Sequence, residues 1–333
     1  MCPQKSQFVG PARNETELLA RLLDSAEPGA EVVVPNGDDA AVVRFGGELV
    51  AVTTDTVVGG RHFDAAISSP SDVGFKAIEA AASDIVAMGG KPRHVYIALS
   101  TPPNYEFAQL SELYRGIHRA TRRLGAFVLG GDTTVGTGEL VVTITVVGVI
   151  QSEVHLSTRS GARPGDLVCL SGPVGGAAAG LLAYRRNLSG FEGIKALHRL
   201  PECRLDLVDA VAPFATAMID ISDGLSSEIH HLCRMSGVGA KIVAESIPFD
   251  PETTQLAELL GVDRLSLALS GGDDYQLLYT LRAADRGVVS GAVIGEITES
   301  GRVLLERSGI TEELPHTGYD HIASSPAGGP GGI

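Results

Sequence analysis

Apolar positions along this chain fall into two spacings. Short valine-rich runs with polar ends, "EVVVPNGDDAAVVRF" and "ELVAVTTDTV", predict strands. Over residues 71–88, apolar side chains at Ile78, Ala81, Ala82 and Ile85 recur on one helical face, and "GGKP" gives the stop with which glycine and proline close a helix. Asp84 stands inside that apolar pattern, where an unpaired charge is costly. Ahead of these runs, "NETELLARLL" opens with Asn14 and Glu17 in the order of a capping box. A helix over "EFAQLSELYRGIHRATRRL" leads to the strands "AFVLGGD" and "ELVVTITVVGVI". The second half repeats the style, with strands "DLVCLSG", "AMIDIS" and "GAKIVAESI" separated by helices and followed by closing strands around "YQLLYTL" and "VIGEI".

Strands and helices alternate in both halves, which predicts an α/β (or α+β) chain of two comparable domains. The polar, turn-rich stretch "QSEVHLSTRSGARPG" places the boundary between Ile150 and Gly165, giving an N-terminal domain over 1–150 and a C-terminal domain over 151–323. The tail, residues 324–333, has the composition of a disordered end.

Composition narrows the function. With 333 residues, 44% hydrophobic, the chain is long enough for two cores. The most apolar strand, "LVVTITVVGVI", is too short to span a membrane, and the start lacks the apolar core of a signal peptide, so a cytoplasmic location is expected. Four cysteines, at positions 2, 169, 203 and 233, lack metal-ligand spacing and predict reduced, packed thiols. A net charge of −14 argues against a nucleic-acid surface, though not against a small phosphorylated ligand held through metal ions.

Carboxylates flanked by small residues end or interrupt apolar runs again and again. They stand at Asp38 and Asp39, Asp55, Asp84, Asp132, Asp220 and Asp223, and Asp273 and Asp274. One such site is an ordinary turn, and Asp223 alone can be a helix cap. The repetition points elsewhere: small neighbours admit a cation, Ser and Thr add neutral oxygens, and all-oxygen sites suit Mg²⁺ bridging to phosphate. A Mg²⁺-nucleotide site is the simplest purpose. The chain has no Walker-A loop, G-x-S-x-G elbow or H-E-x-x-H. "SGPVGGAAAG" either cradles phosphate or, more simply, packs helices closely, and His230 and His231 read as surface or core residues.

In order, the motifs "GDDAAVV", "TTDTVVGGRHF", "FKAIEAAASDIVAMGGKPRHV", "VLGGDTT", "TRSGARPGD", "IDISDGLSSEI", "LSGGDDYQLL" and "GYDHI" resemble thiamine-monophosphate kinase, a family of the aminoimidazole ribonucleotide synthetase superfamily. The resemblance implies an N-terminal domain whose strands build a barrel across a homodimer, a C-terminal α/β domain, and ATP in the cleft. The implied reaction moves the γ-phosphoryl group of ATP to thiamine monophosphate. It further implies Mg²⁺ ligands at Asp39, Thr53, Thr54, Asp55, Asp84, Asp132, Asp220 and Asp223, with Asp55, Asp84, Asp132 and Asp220 central to catalysis. Nucleotide contacts are implied at Gly131, Asp132, Arg159 and Ser222, and substrate contacts at His62 and Asp273. Two departures stand out: Asp273 replaces the family's usual Glu, and His316 and Thr317 stand where an aromatic ring commonly precedes "GYDH". His316 is the expected substitute for that ring. An acceptor that is itself a phosphate needs no side-chain nucleophile or general base, in keeping with the missing triad. Selenophosphate synthetase, a hydrogenase-maturation dehydratase and a non-catalytic nucleotide-binding module are the alternative readings.

Overall fold

The computed structural model describes residues 29–319 together with Leu18 and Leu22, which are helical. The rest of the "NETELLARLL" helix, Cys2, the end of "GYDHI" and the tail lie outside the described residues.

The first half forms β1 (Val32–Val34), β2 (Ala41–Phe45), β3 (Glu48–Val58), α1 (Pro70–Ala87), β4 (Gly90–Thr101), α2 (Phe107–Leu124), β5 (Phe127–Val135) and β6 (Val141–Ile150). These strands make one six-stranded sheet in the order β1-β2-β3-β6-β4-β5, in which β4 and β5 alone run parallel. α1 starts where a start is specified: Ser69 accepts from the Asp72 N–H, Asp72 answers to the Ser69 N–H, and Pro70 occupies the first turn. Period-two alternation turns Leu49, Ala51, Thr53, Asp55 and Val57 of β3 toward α1. Thr54 and Thr56 face the other way, their hydroxyls bonded to Thr145 and Thr143 of β6 at 2.9 Å. β4 is a finding against expectation. "GGKP" ends α1 and also opens a twelve-residue strand, and Pro92 fits because the β4–β6 register shifts between Pro92 and His94.

The second half contributes β7 (Leu167–Leu170), α3 (Gly176–Arg185), α4 (Glu192–Arg199), α5 (Val208–Val211), β8 (Ala215–Asp220), α6 (Leu225–Ser236), β9 (Gly239–Val243), α7 (Pro251–Leu260), α8 (Arg264–Ser270), β10 (Leu277–Leu281), β11 (Ala292–Thr298), β12 (Val303–Arg307) and β13 (Ile310–Glu313). Its seven-stranded sheet has the order β13-β12-β9-β11-β7-β10-β8. One apolar cluster runs through α1 and the first sheet into Cys203, Met218, Leu277 and Tyr279 of the second half, so the two halves share a core. Fully burying side chains such as Phe75, Ile78 and Met218 contributes about 1.5–3 kcal/mol each. Cys169, Cys203 and Cys233 are free and buried, as packed thiols.

The glycines of "SGPVGGAAAG" serve packing. A Cβ on Gly180 would lie 2.0 Å from the Ile194 carbonyl oxygen of α4. The amides of Gly175 and Ala177 at the head of α3 donate to Asp274, at 2.6 and 3.2 Å.

Candidate active site

β8 sits at the edge of the second sheet and ends on Asp220, which α1 meets from the other half of the molecule. Ser83 Oγ of α1 donates to Asp220 Oδ2 at 2.6 Å, and one residue later Asp84 Oδ2 accepts from Thr53 Oγ1 of β3 at 2.6 Å. The β1–β2 connection adds Asp39. Carboxylate oxygens of Asp39, Asp84 and Asp220 lie within 4.8 Å of one another. Asp39 Oδ2 is buried with no hydrogen-bond partner. Burial, with the neighbouring carboxylates added, raises Asp84 well above the usual carboxyl range, and burial with Asp39 raises Asp220 in the same direction. Asp55 contributes its charge to the same group. Like charges so close and so dry are stable only if protonated or if a cation lies among them, and the all-oxygen donor set fits a hard divalent ion.

Arg159 borders this cluster. Its guanidinium donates to Asp39 Oδ1, at 2.5 and 3.1 Å, and its backbone N–H to Asp38 at 3.1 Å. Burial, then repulsion from Asp39, lifts Asp38 to about 6. The loop after β8 carries Ser222 and Asp223. The capping role open to Asp223 falls to Gly224, at φ 121°, and no side chain caps α6. The Asp223 N–H instead donates to Glu228 Oε1 at 3.0 Å, inside the first turns of α6.

The loop after α8 packs against the segment that carries Ile221 and Ser222. Asp273 and Tyr275 have φ values of 66° and 48°, and their N–H groups donate to the Ser222 and Ile221 carbonyls at 2.8 Å. Tyr275 Oη donates to Asp273 Oδ1 at 2.9 Å, and Lys76 Nζ of α1 to Asp273 Oδ2 at 2.7 Å. Although burial works against it, Lys76 holds the Asp273 carboxyl below its usual range. His62 accepts the Val58 N–H on Nδ1 at 3.0 Å and meets the Tyr319 ring edge-on at 6.5 Å. His316 turns elsewhere: its ring stacks on His230 at 4.9 Å and meets His231 at 5.8 Å.

The fold thus gathers Asp39, Thr53, Asp55, Asp84, Asp220, Arg159, Ser222 and Asp223 around one cluster, with His62 and Asp273 beside it. Thr54 points its side chain to the opposite face of the sheet, leaving only its backbone for the cluster. Gly131 and Asp132 lie on the exposed edge strand β5. Registers running Asp55, Ile144, Ile97, Gly131 set Asp132 three strands from β3, about 14 Å at an inter-strand spacing near 4.8 Å. Gly131 is obligatory, since at φ 149° an added Cβ would meet the Ile97 carbonyl oxygen at 1.7 Å. Sequence reasoning missed Ser83, Lys76 and Tyr319. Ser83 directly precedes Asp84, but Lys76 has a partner 197 residues away and gives no local sign.

Families described as the AIR synthase related protein N-terminal and C-terminal domains match residues 37–150 and 163–306. The thiamine-monophosphate kinase of Aquifex aeolicus is 35% identical over 248 residues, 73% of this chain and 79% of that one. Its counterpart in Escherichia coli K12 is 32% identical over 330 residues, 94% of this chain and 99% of that one. The solved structure of AaThiL complexed with AMPPCP and TMP superposes with a TM-score of 0.85 at 30% identity, covering 95% of this chain and all of that one. Across both halves and nearly its whole length, the chain belongs to the thiamine-monophosphate kinase family of AIR synthase related proteins.

Proposed function

We propose that this chain transfers the γ-phosphoryl group of ATP to thiamine monophosphate, releasing ADP and thiamine diphosphate. The observation that carries the reading is the buried convergence of Asp39, Asp84 and Asp220. Family membership, and the pairing of AMPPCP with TMP in the AaThiL structure, support it. The bond that forms joins an acceptor phosphate oxygen to the γ-phosphorus; the bond that breaks frees the β-phosphate oxygen of ADP. Mg²⁺ held by Asp39, Asp55, Asp84, Asp220 and Asp223 would neutralise the facing phosphate oxygens. Thr53 orients Asp84, Ser83 orients Asp220, and Arg159 brings a guanidinium fork to the rim, where it can take phosphate in two-point contact. His62, Tyr319 and Asp273 frame the acceptor in this reading, which gives the Tyr319 ring, edge-on to His62, the part expected of His316. At saturating MgATP, thiamine diphosphate should form from thiamine monophosphate and not from thiamine, whose alcohol would need a general base. Equal rates with both acceptors would overturn the mechanism.

The active unit in this reading is a cytoplasmic homodimer. Phe127, Leu129 and Val135 are exposed along β5, and Tyr96 of β4 stands beside them, an apolar edge that a second copy would cover. Asp132 on that edge then serves the partner's carboxylates. Light scattering should give about twice the 34.6 kDa chain mass. Mixing inactive Asp84→Asn and Asp132→Asn chains should restore part of the activity, and failure to do so would place Asp132 outside the partner's site.

A further inference from the structure

Four polar residues of α1, Asp72, Lys76, Glu79 and Ser83, follow spacings of four, three and four, which puts them on one helix face. Each bonds a residue of the second half. Asp72 accepts from Arg199 Nη1 at 3.2 Å and Lys76 Nζ donates to Asp273 at 2.7 Å. Glu79 accepts the Cys203 N–H at 3.1 Å, and Ser83 Oγ donates to Asp220 at 2.6 Å. One rigid helix therefore touches two parts of the site: Ser83 grips Asp220 of the carboxylate cluster, and Lys76 grips the neighbouring loop that carries Asp273. Seven residues at 1.5 Å each hold the two contacts about 10 Å apart along the helix.

We infer that Lys76 is a positioning residue: by pinning Asp273 to α1 it sets the distance between the acceptor-binding loop and the carboxylate cluster, and so the approach of the acceptor phosphate. The inference rests on the kinase reading above. Three observations carry it. The Lys76 side chain is only 6% exposed, so its ammonium is committed to Asp273 and to the His62 carbonyl at 3.4 Å, both on the acceptor side. The loop it holds contains two non-glycine residues, Asp273 and Tyr275, in the left-handed region, a conformation that persists only under external constraint. Gly272 presses against the Ser222 carbonyl, where a Cβ would come to 2.1 Å, so movement of this loop is passed directly to the segment that carries Asp220 and Asp223.

A purely structural ion pair would lower stability without separating the two substrates. The test compares Lys76→Met, Lys76→Arg and the double variant Lys76→Met/Asp273→Asn, which leaves no buried charge unpaired. KM for each substrate is measured with hydrogen exchange at the Asp273 and Tyr275 amides. Lys76→Met should raise KM for thiamine monophosphate about tenfold or more while KM for ATP stays within about twofold, and Lys76→Arg should recover most of the loss. The double variant should keep the raised acceptor KM, and both loop amides should lose protection in the two methionine variants. Parallel changes in both KM values, an unchanged acceptor KM, or recovery in the double variant would overturn the inference. A wild-type chain inert toward thiamine monophosphate would instead overturn the kinase reading, and retained amide protection in Lys76→Met would then still refute the pinning of the loop by Lys76.

Discussion

Glu79 and Asp84 lie five residues apart on α1, both carboxylates turned into the protein, in surroundings of opposite kind. Glu79 is wholly buried and answered on every side: Arg123 of α2 donates to both of its oxygens, through Nε at 2.7 Å and through Nη2, and the Cys203 N–H adds a third bond. Asp84 has Thr53 as a hydrogen-bond donor and otherwise faces Asp220, Asp39 and Asp55. A buried charge with its counter-charge in the chain belongs to the architecture, here tying α1, α2 and the second half together. A buried carboxyl among its own kind has no counter-charge in the cluster and is stable only when protonated or beside a cation, which marks it as a candidate for function.

That contrast breaks first at Glu79. Replacing it with Gln leaves the partly exposed Arg123 with only Glu202, at 3.9 Å, as counter-ion, and stability should fall by up to about 3 kcal/mol in chemical denaturation. Turnover per folded molecule should stay near wild type. A Glu79→Gln chain of wild-type stability would show that the clamp is not structural.

Asp84→Asn should give the converse result. Turnover should drop by roughly a hundredfold or more, because metal-assisted charge stabilisation is worth several kcal/mol. Stability measured with a chelator present should hold or rise, since one of several repelling carboxylates becomes neutral and Thr53 keeps an oxygen acceptor. Wild-type turnover would reassign the cluster to structure.

The same contrast explains what the chain disclosed before folding. The convergence of Asp39, Asp84 and Asp220 was legible because small neighbours and a carboxylate out of pattern are local features of the sequence. Strand β3 and helices α1 and α2 were legible from periodicity. β4 was not, because a glycine-glycine-lysine-proline run is a valid helix stop and a tolerated strand start, and only the pairing with β6 decides between them. Arg123 looks like any helical arginine until α1 packs against α2. Lys76 looks like a surface residue on an alanine-rich helix until a loop 197 residues away folds over it. That the Tyr319 ring meets His62 while the His316 ring stacks on His230 was not legible either, because both contacts follow from the path of the chain after β13. Counter-charges at long range are topology, and local sequence carries little of it.

The smallest effect tests whether crowding of the opposite sign behaves alike. His198, buried at the end of α4, is pushed down to about 4 by burial and then by Lys76, with Arg185 and Arg199 adding to the repulsion and Asp273 opposing it. It answers crowding by staying neutral, as the raised carboxyls of Asp84 and Asp220 do when no cation lies among them. The unfolded chain takes up this proton near pH 6.5 and the folded chain only near pH 4, so below 6.5 the unfolded state binds more protons and stability falls as pH falls. The stability present above pH 6.5 is lost progressively toward pH 4. Between pH 7.5 and 5.5 the loss attributable to His198 should be about 1 kcal/mol. His198→Gln, which cannot be protonated, should flatten that part of the stability profile in denaturant titrations, and an identical slope in both chains would show that His198 is not held neutral by its surroundings.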